Sequence, residues 1–99
     1  MKLKENNKLV YDFVKEHEDE NITAADIVAA TGLTSRQVNG IITMSFQRHK
    51  EEIDGEKVEV PLMQRIPGEA TTDEKGKAVI PKYIKLTDEG RNIEIEVAD

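Results

Sequence analysis

The stretch "NITAADIVAATGLTSRQVNG", residues 21–40, decides how the fold is read. An Ala-rich segment stops at Gly32, and a second segment with a polar face begins at Thr34. Thr23 with Asp26 three residues later is a capping-box pattern, with Asp in place of the usual Glu or Gln. The acid also suits the positive end of a helix dipole. Ile22 before the cap and Ile27 after it make the apolar staple that fixes how a chain enters a helix. Gly32 supplies the left-handed backbone position that ends the helix. Thr34 with Gln37 is a second capping box. The spacing predicts two short helices joined by a tight turn. Ala24, Ala25, Ala29 and Ala30 make the first of them thin enough for close packing.

Upstream, Leu9, Val10, Phe13 and Val14 recur at helical spacing and predict a helix from about Glu5 to His17, with Lys8, Asp12, Lys15 and Glu16 in solvent. "EHEDEN" ends it in an acidic loop. Downstream, Val38, Ile41, Ile42 and Phe46 give the apolar side of the helix that starts at Thr34, expected to run to residue 50. Its other side carries Ser35, Arg36, Gln37, Asn39, Gly40, Thr43, Met44, Gln47 and Arg48. The next segment, "EEIDGEKVEV", is acidic and contains the turn signal Asp54-Gly55. Leu62–Ile66 and Val79–Leu86 then read as two strands around a loop of turn formers, Gly68, Thr71, Thr72 and Gly76. Pro61 and Pro81 exclude a central strand at those points and suit an edge. In the tail, "TDEGR" reads as a helix start, whereas Ile93, Ile95 and Val97 alternate with Glu94 and Glu96 as in a strand. Such a strand would pair with another chain or cover this chain's own sheet edge.

Ninety-nine residues make one domain, 1–99, of α+β class. There is no Trp and no Cys, so the core rests on aliphatic side chains, and disulfide and thiolate chemistry are excluded. No apolar run reaches the roughly 18 residues of a membrane span. "MKLKENNK" lacks the apolar region of a signal peptide, and a cytoplasmic setting is the expectation. The net charge is −6, but it is unevenly spread. Residues 1–30 carry four Lys against seven acids; residues 31–50 carry Arg36, Arg48 and Lys50 and no acid. Residues 51–60 carry five acids and one Lys, 61–87 five bases and three acids, and 88–99 five acids and one Arg.

The order helix, helix, turn, helix, strand, loop, strand resembles the winged helix-turn-helix DNA-binding domains, including the MarR-like transcriptional regulators. "ITAADIVAATGLTSRQVNGII" is similar to their helix-turn-helix (about 23–50 here), and "LMQRIPG…VIPKYIKL" to their β-hairpin wing (about 62–86). "YIKLTDEGR" is similar to the segment that closes the wing. The chain departs from the pattern at Val28, where the family usually has Ala, and in the acidic segment 51–60, which looks like an insertion.

The resemblance implies three helices followed by a wing, with helix 34–50 in the major groove and the 67–78 wing loop on the minor groove or backbone. Ser35, Arg36, Gln37 and Asn39 are then the base-reading candidates, because Arg pairs bidentately with guanine and Asn or Gln with adenine. Gly40 admits close approach of a phosphate or of a neighbouring helix. Thr43, Gln47 and Arg48 meet sugar-phosphate, and the helix starts at Thr23 and Thr34 offer backbone N–H groups to phosphate. Lys75 and Lys77 at the wing tip complete the set. Each has a plainer reading as solvated surface or cap. The partner implied is double-stranded DNA, bound as a monomer or, through two half-sites, as a homodimer. The other reading is an acidic winged-helix module that binds a protein of the transcription or replication machinery. Neither implies a membrane or a cofactor. No phosphate loop, metal-ligand spacing or catalytic Ser-His-Asp arrangement supports an enzyme, and His17 and His49 stand too far apart in sequence to suggest a metal site.

Overall fold

A computed structural model describes residues 2–93 and 96–97. Both helix starts form as their capping residues dictate. Asp26 N–H donates to Thr23 Oγ1, and the Thr23 N–H donates to Asp26 Oδ2 at 2.9 Å, opening α2 (Ala24–Thr31). Gly32, at φ 77°, ends α2 in the left-handed region, its N–H donating to the Val28 carbonyl. Gln37 N–H donates to Thr34 Oγ1 at 3.0 Å, and Thr34 N–H to Gln37 Oε1 at 2.9 Å, opening α3 (Ser35–Gly40). The staple residues Ile22 and Ile27 are both buried. Val28 packs at the edge of the core.

The third helix differs from expectation in length and in kind. After Gly40 it continues as a π-helical segment, Ile41–Gln47, and Lys50 already lies in a strand. The wider winding appears as the Arg48 N–H donating five residues back, to the Thr43 carbonyl, at 3.0 Å. Val38, Ile42 and Phe46 still reach the core fully buried.

Helix α1 (Glu5–Glu16) buries Val10, Tyr11 and Val14, while Phe13 is partly buried and Leu9 is 42% exposed. The apolar stripe is thus turned from the expected Leu9 toward Tyr11. Tyr11 fits because its ring packs 6.0 Å from that of Phe46 and its hydroxyl has an acceptor, the Gly90 carbonyl at 2.6 Å.

The acidic segment forms a hairpin of β2 (Lys50–Ile53) and β3 (Glu56–Glu59), turned through Asp54 (φ 53°) and Gly55 (φ 82°). Positive φ at both turn residues gives the twist that closes a two-residue hairpin. Every residue of both strands is exposed. Lys50 faces Glu59 and Glu52 faces Lys57 across the ladder, so opposite charges, not apolar burial, match the strands.

A longer hairpin pairs β4 (Met63–Pro67) with β7 (Lys82–Leu86), antiparallel, with Met63 opposite Leu86 and Arg65 opposite Ile84. Beyond a break at Pro81 it resumes as β5 (Thr71–Thr72) with β6 (Ala78–Val79). Its base is tied to the helices: Leu62 N–H donates to the Phe46 carbonyl and Ile84 N–H to the Ile22 carbonyl, each at 2.8 Å. Leu62, Met63, Ile84 and Leu86 join the core, which also holds Leu3.

The tail begins as the helix read from "TDEGR", and of the strand read over Ile93–Val97 the described part is Glu96–Val97. Thr87 Oγ1 accepts the Gly90 N–H at 3.1 Å and opens α4 (Asp88–Asn92). β8 (Glu96–Val97) then pairs in parallel with β1 (Lys2–Leu3), within the same chain, as a separate two-stranded sheet. Glu94 and Ile95 lie outside the described residues. The described chain is therefore α+β, with four helices and small strand pairs, and none of its helices is long and apolar enough to cross a membrane.

Candidate nucleic-acid interface

The third helix divides the candidate residues among three surroundings. Thr34 and Gln37 are exposed, but each side chain serves the capping box of α3. Asn39, Thr43 and Gln47 recur every four residues and turn toward β4. Ser35, Arg36, Gly40, Met44 and Arg48 are exposed, Met44 at 64%.

What holds the middle group is Arg65. Along β4, Met63 and Arg65 share one face of the strand, Met63 fully buried and Arg65 half-buried against the helix. The Arg65 guanidinium donates to Thr43 Oγ1 at 3.1 Å and to Gln47 Oε1 from one nitrogen. From the other it donates to the Asn39 carbonyl at 3.4 Å and to Asn39 Oδ1 at 3.3 Å. Asn39 in turn donates to the Ser35 carbonyl at 3.0 Å. Partial burial pulls the Arg65 pKa below the usual arginine value, because desolvation disfavours the charged form. A guanidinium nevertheless stays protonated.

Arg36 lies beside a groove of about 550 Å³ between the start of α1 and α3, with Lys4, Gln37 and Gly40 in its walls. Asn7 donates to Ser45 Oγ at 3.0 Å across it. Arg48 stands at the other end of the helix, one guanidinium nitrogen 3.9 Å from the Met44 sulfur. Lys75 and Lys77 sit exposed at the tip of the long hairpin, where both backbone N–H groups donate to Asp73 Oδ1 at 2.9 Å. Among the described residues, the ion pairs are Lys8–Asp12, His17–Glu20, His49–Glu51 and those of Arg91 with Glu18 and Asp88. None involves Arg36, Arg48, Arg65, Lys75 or Lys77. His17 and His49 occupy separate places, one stacked on Phe13 and the other beside Glu51.

Arg65 is absent from the residues that sequence reasoning singled out. Two signals pointed to it: a charged residue on the inward face of a strand, and three neutral oxygen acceptors spaced at one helical turn. Neither is visible until strand register and helix orientation are known.

No family model, curated protein or solved structure matches the chain.

Proposed function

We propose that the chain is a DNA-binding transcriptional regulator of the winged helix-turn-helix type, with α3 and its π-helical extension docking in the major groove and the β4–β7 hairpin as the wing. The observation that carries this reading is the charge of the third helix. From Thr31 to Lys50 the chain has no acid, and the exposed side of this segment presents Ser35, Arg36, Gly40 and Arg48. A protein of net charge −6 that keeps one helix free of acid fits a polyanionic partner on that side.

In this arrangement Ser35 and Arg36, in the first turn, reach base edges, and Arg36 forks onto guanine. Gly40 lets the helix backbone approach the duplex. Arg48 meets a phosphate, and Lys75 and Lys77 lie along the minor groove or the backbone. Asn39, Thr43 and Gln47 first hold the helix on β4. Thr34 and Gln37 set where the helix begins.

The second reading, an acidic winged-helix module for a protein of the transcription or replication machinery, draws on the β2–β3 hairpin. That hairpin is exposed throughout, carries five acids against two Lys, and shows Ile53 and Val58 at its surface.

Binding to mixed-sequence duplex DNA, followed by anisotropy from about 50 to 200 mM salt, tests the first reading. The wild type is expected to bind with a steep salt slope, and Arg36→Glu/Arg48→Glu to lose it while melting as the wild type does. No binding at low salt, or binding indifferent to the double substitution, would shift the assignment to the protein partner.

A further inference from the structure

We infer that the groove between the third helix and β4, lined by Thr43, Gln47 and Arg48 and backed by Arg65, is a DNA-phosphate site. This inference rests on the DNA-binding reading and adds to it a residue and a ligand group.

The first ground is uncompensated charge. Arginine drawn out of water ordinarily meets a carboxylate, whose planar fork it matches and whose charge offsets the cost of desolvation. This chain has 20 acids to choose from. Arg65 instead meets only neutral oxygens, those of Thr43, Gln47 and Asn39. They accept from its two terminal nitrogens and leave its charge in place. A carboxylate at position 39, 43 or 47 would neutralise it, and none is present.

The second ground is polarity. By donating to Thr43 Oγ1 and Gln47 Oε1, Arg65 occupies the acceptor side of both groups. The Thr43 O–H and the Gln47 amide N–H₂ remain as donors, and among the described residues neither has an acceptor. Both residues line an open groove of about 490 Å³, and Arg65, which is not itself in the lining, is bonded to both. Arg48 stands in the same wall, exposed and unpaired among the described residues. Glu59 is the acid that also lines this groove, and it pairs with neither arginine. Arg48 and two oriented neutral donors, backed by the charge of Arg65, make a surface for an anion with several acceptor oxygens. A phosphodiester between the docked helix and the wing strand has that chemistry.

The test compares wild type, Arg65→Gln, Arg65→Lys and Thr43→Val against one duplex over a salt titration, with melting curves taken alongside. Arg65→Gln is expected to flatten the slope of log K against log salt by about 0.9, the value of one phosphate contact. Arg65→Lys, which keeps the charge and loses the fork, is expected to keep the wild-type slope. Thr43→Val is expected to weaken binding several-fold at every salt concentration with the slope unchanged. Thr43→Val keeps the test open if Arg65→Gln does not fold. Wild-type slope in Arg65→Gln, or wild-type affinity in Thr43→Val, would overturn the phosphate site and leave DNA binding standing. Absence of wild-type binding would overturn both.

Discussion

The Tyr11 hydroxyl donates a 2.6 Å hydrogen bond to the Gly90 carbonyl, joining α1 to α4 across 79 residues of chain. Both residues are buried, and the Tyr11 side chain is among the largest in the core. Tyr11→Phe keeps the ring against Phe46 and removes only the donor. A buried carbonyl left without a partner costs about 1–3 kcal/mol. The expected outcome is a fall in melting temperature of at least about 4 °C, with DNA binding unchanged where the protein is folded. An unchanged melting temperature would mean that the hydroxyl contributes nothing to the closure of the fold.

Gly90 also lies close against the backbone of Leu62. A Cβ built there would lie 2.0 Å from the Leu62 carbonyl oxygen, which already accepts the Thr87 N–H at 3.0 Å. That contact is with backbone and cannot be relieved by a side-chain rotation. Gly90→Ala is therefore expected to destabilise by about 3 kcal/mol or more, at the upper end of overpacking effects. Chemical denaturation reads this directly, and a wild-type midpoint would show that α4 can shift away from Leu62 without loss.

These two residues mark where the sequence is legible and where it is not. The helix starts at Thr23 and Thr34 and the stop at Gly32 were readable because capping is local chemistry within four residues. The buried positions Val38, Ile42 and Phe46 followed from spacing alone. Tyr11 did not, because its burial depends on an acceptor supplied by Gly90 from the far end of the chain. The pairing of β1 with β8 was missed in part for the same reason: two strands of two residues each carry no periodicity. The β2–β3 hairpin gave its turn away through Asp54-Gly55, but its strands are matched by charge rather than by an apolar face. In the candidate interface, the exposed arginines were legible as bases in an acid-free segment. The orientation of Asn39, Thr43 and Gln47 toward Arg65 was not, since it requires the register of β4 against the third helix.

The β2–β3 hairpin separates the two functional readings by a third route. It begins where the third helix ends, at Arg48, and carries Glu51, Glu52 and Glu56 on fully exposed strands. Such charges repel a DNA backbone approaching Arg48, over a range of about 8–10 Å near physiological salt. Replacing all three with Gln changes the net charge from −6 to −3 and removes no core contact. The melting temperature is expected to stay near the wild-type value, because the hairpin contributes none of the buried residues and the exposed pairs it loses, His49–Glu51 and Glu52 opposite Lys57, are weak. Duplex affinity at low salt is expected to rise, with the gain shrinking as salt screens the remaining acids. Affinity that does not move would place the hairpin beyond the reach of bound DNA. DNA binding absent in both proteins, together with loss of a captured basic partner in the variant alone, would make the hairpin the contact surface of the protein-binding reading.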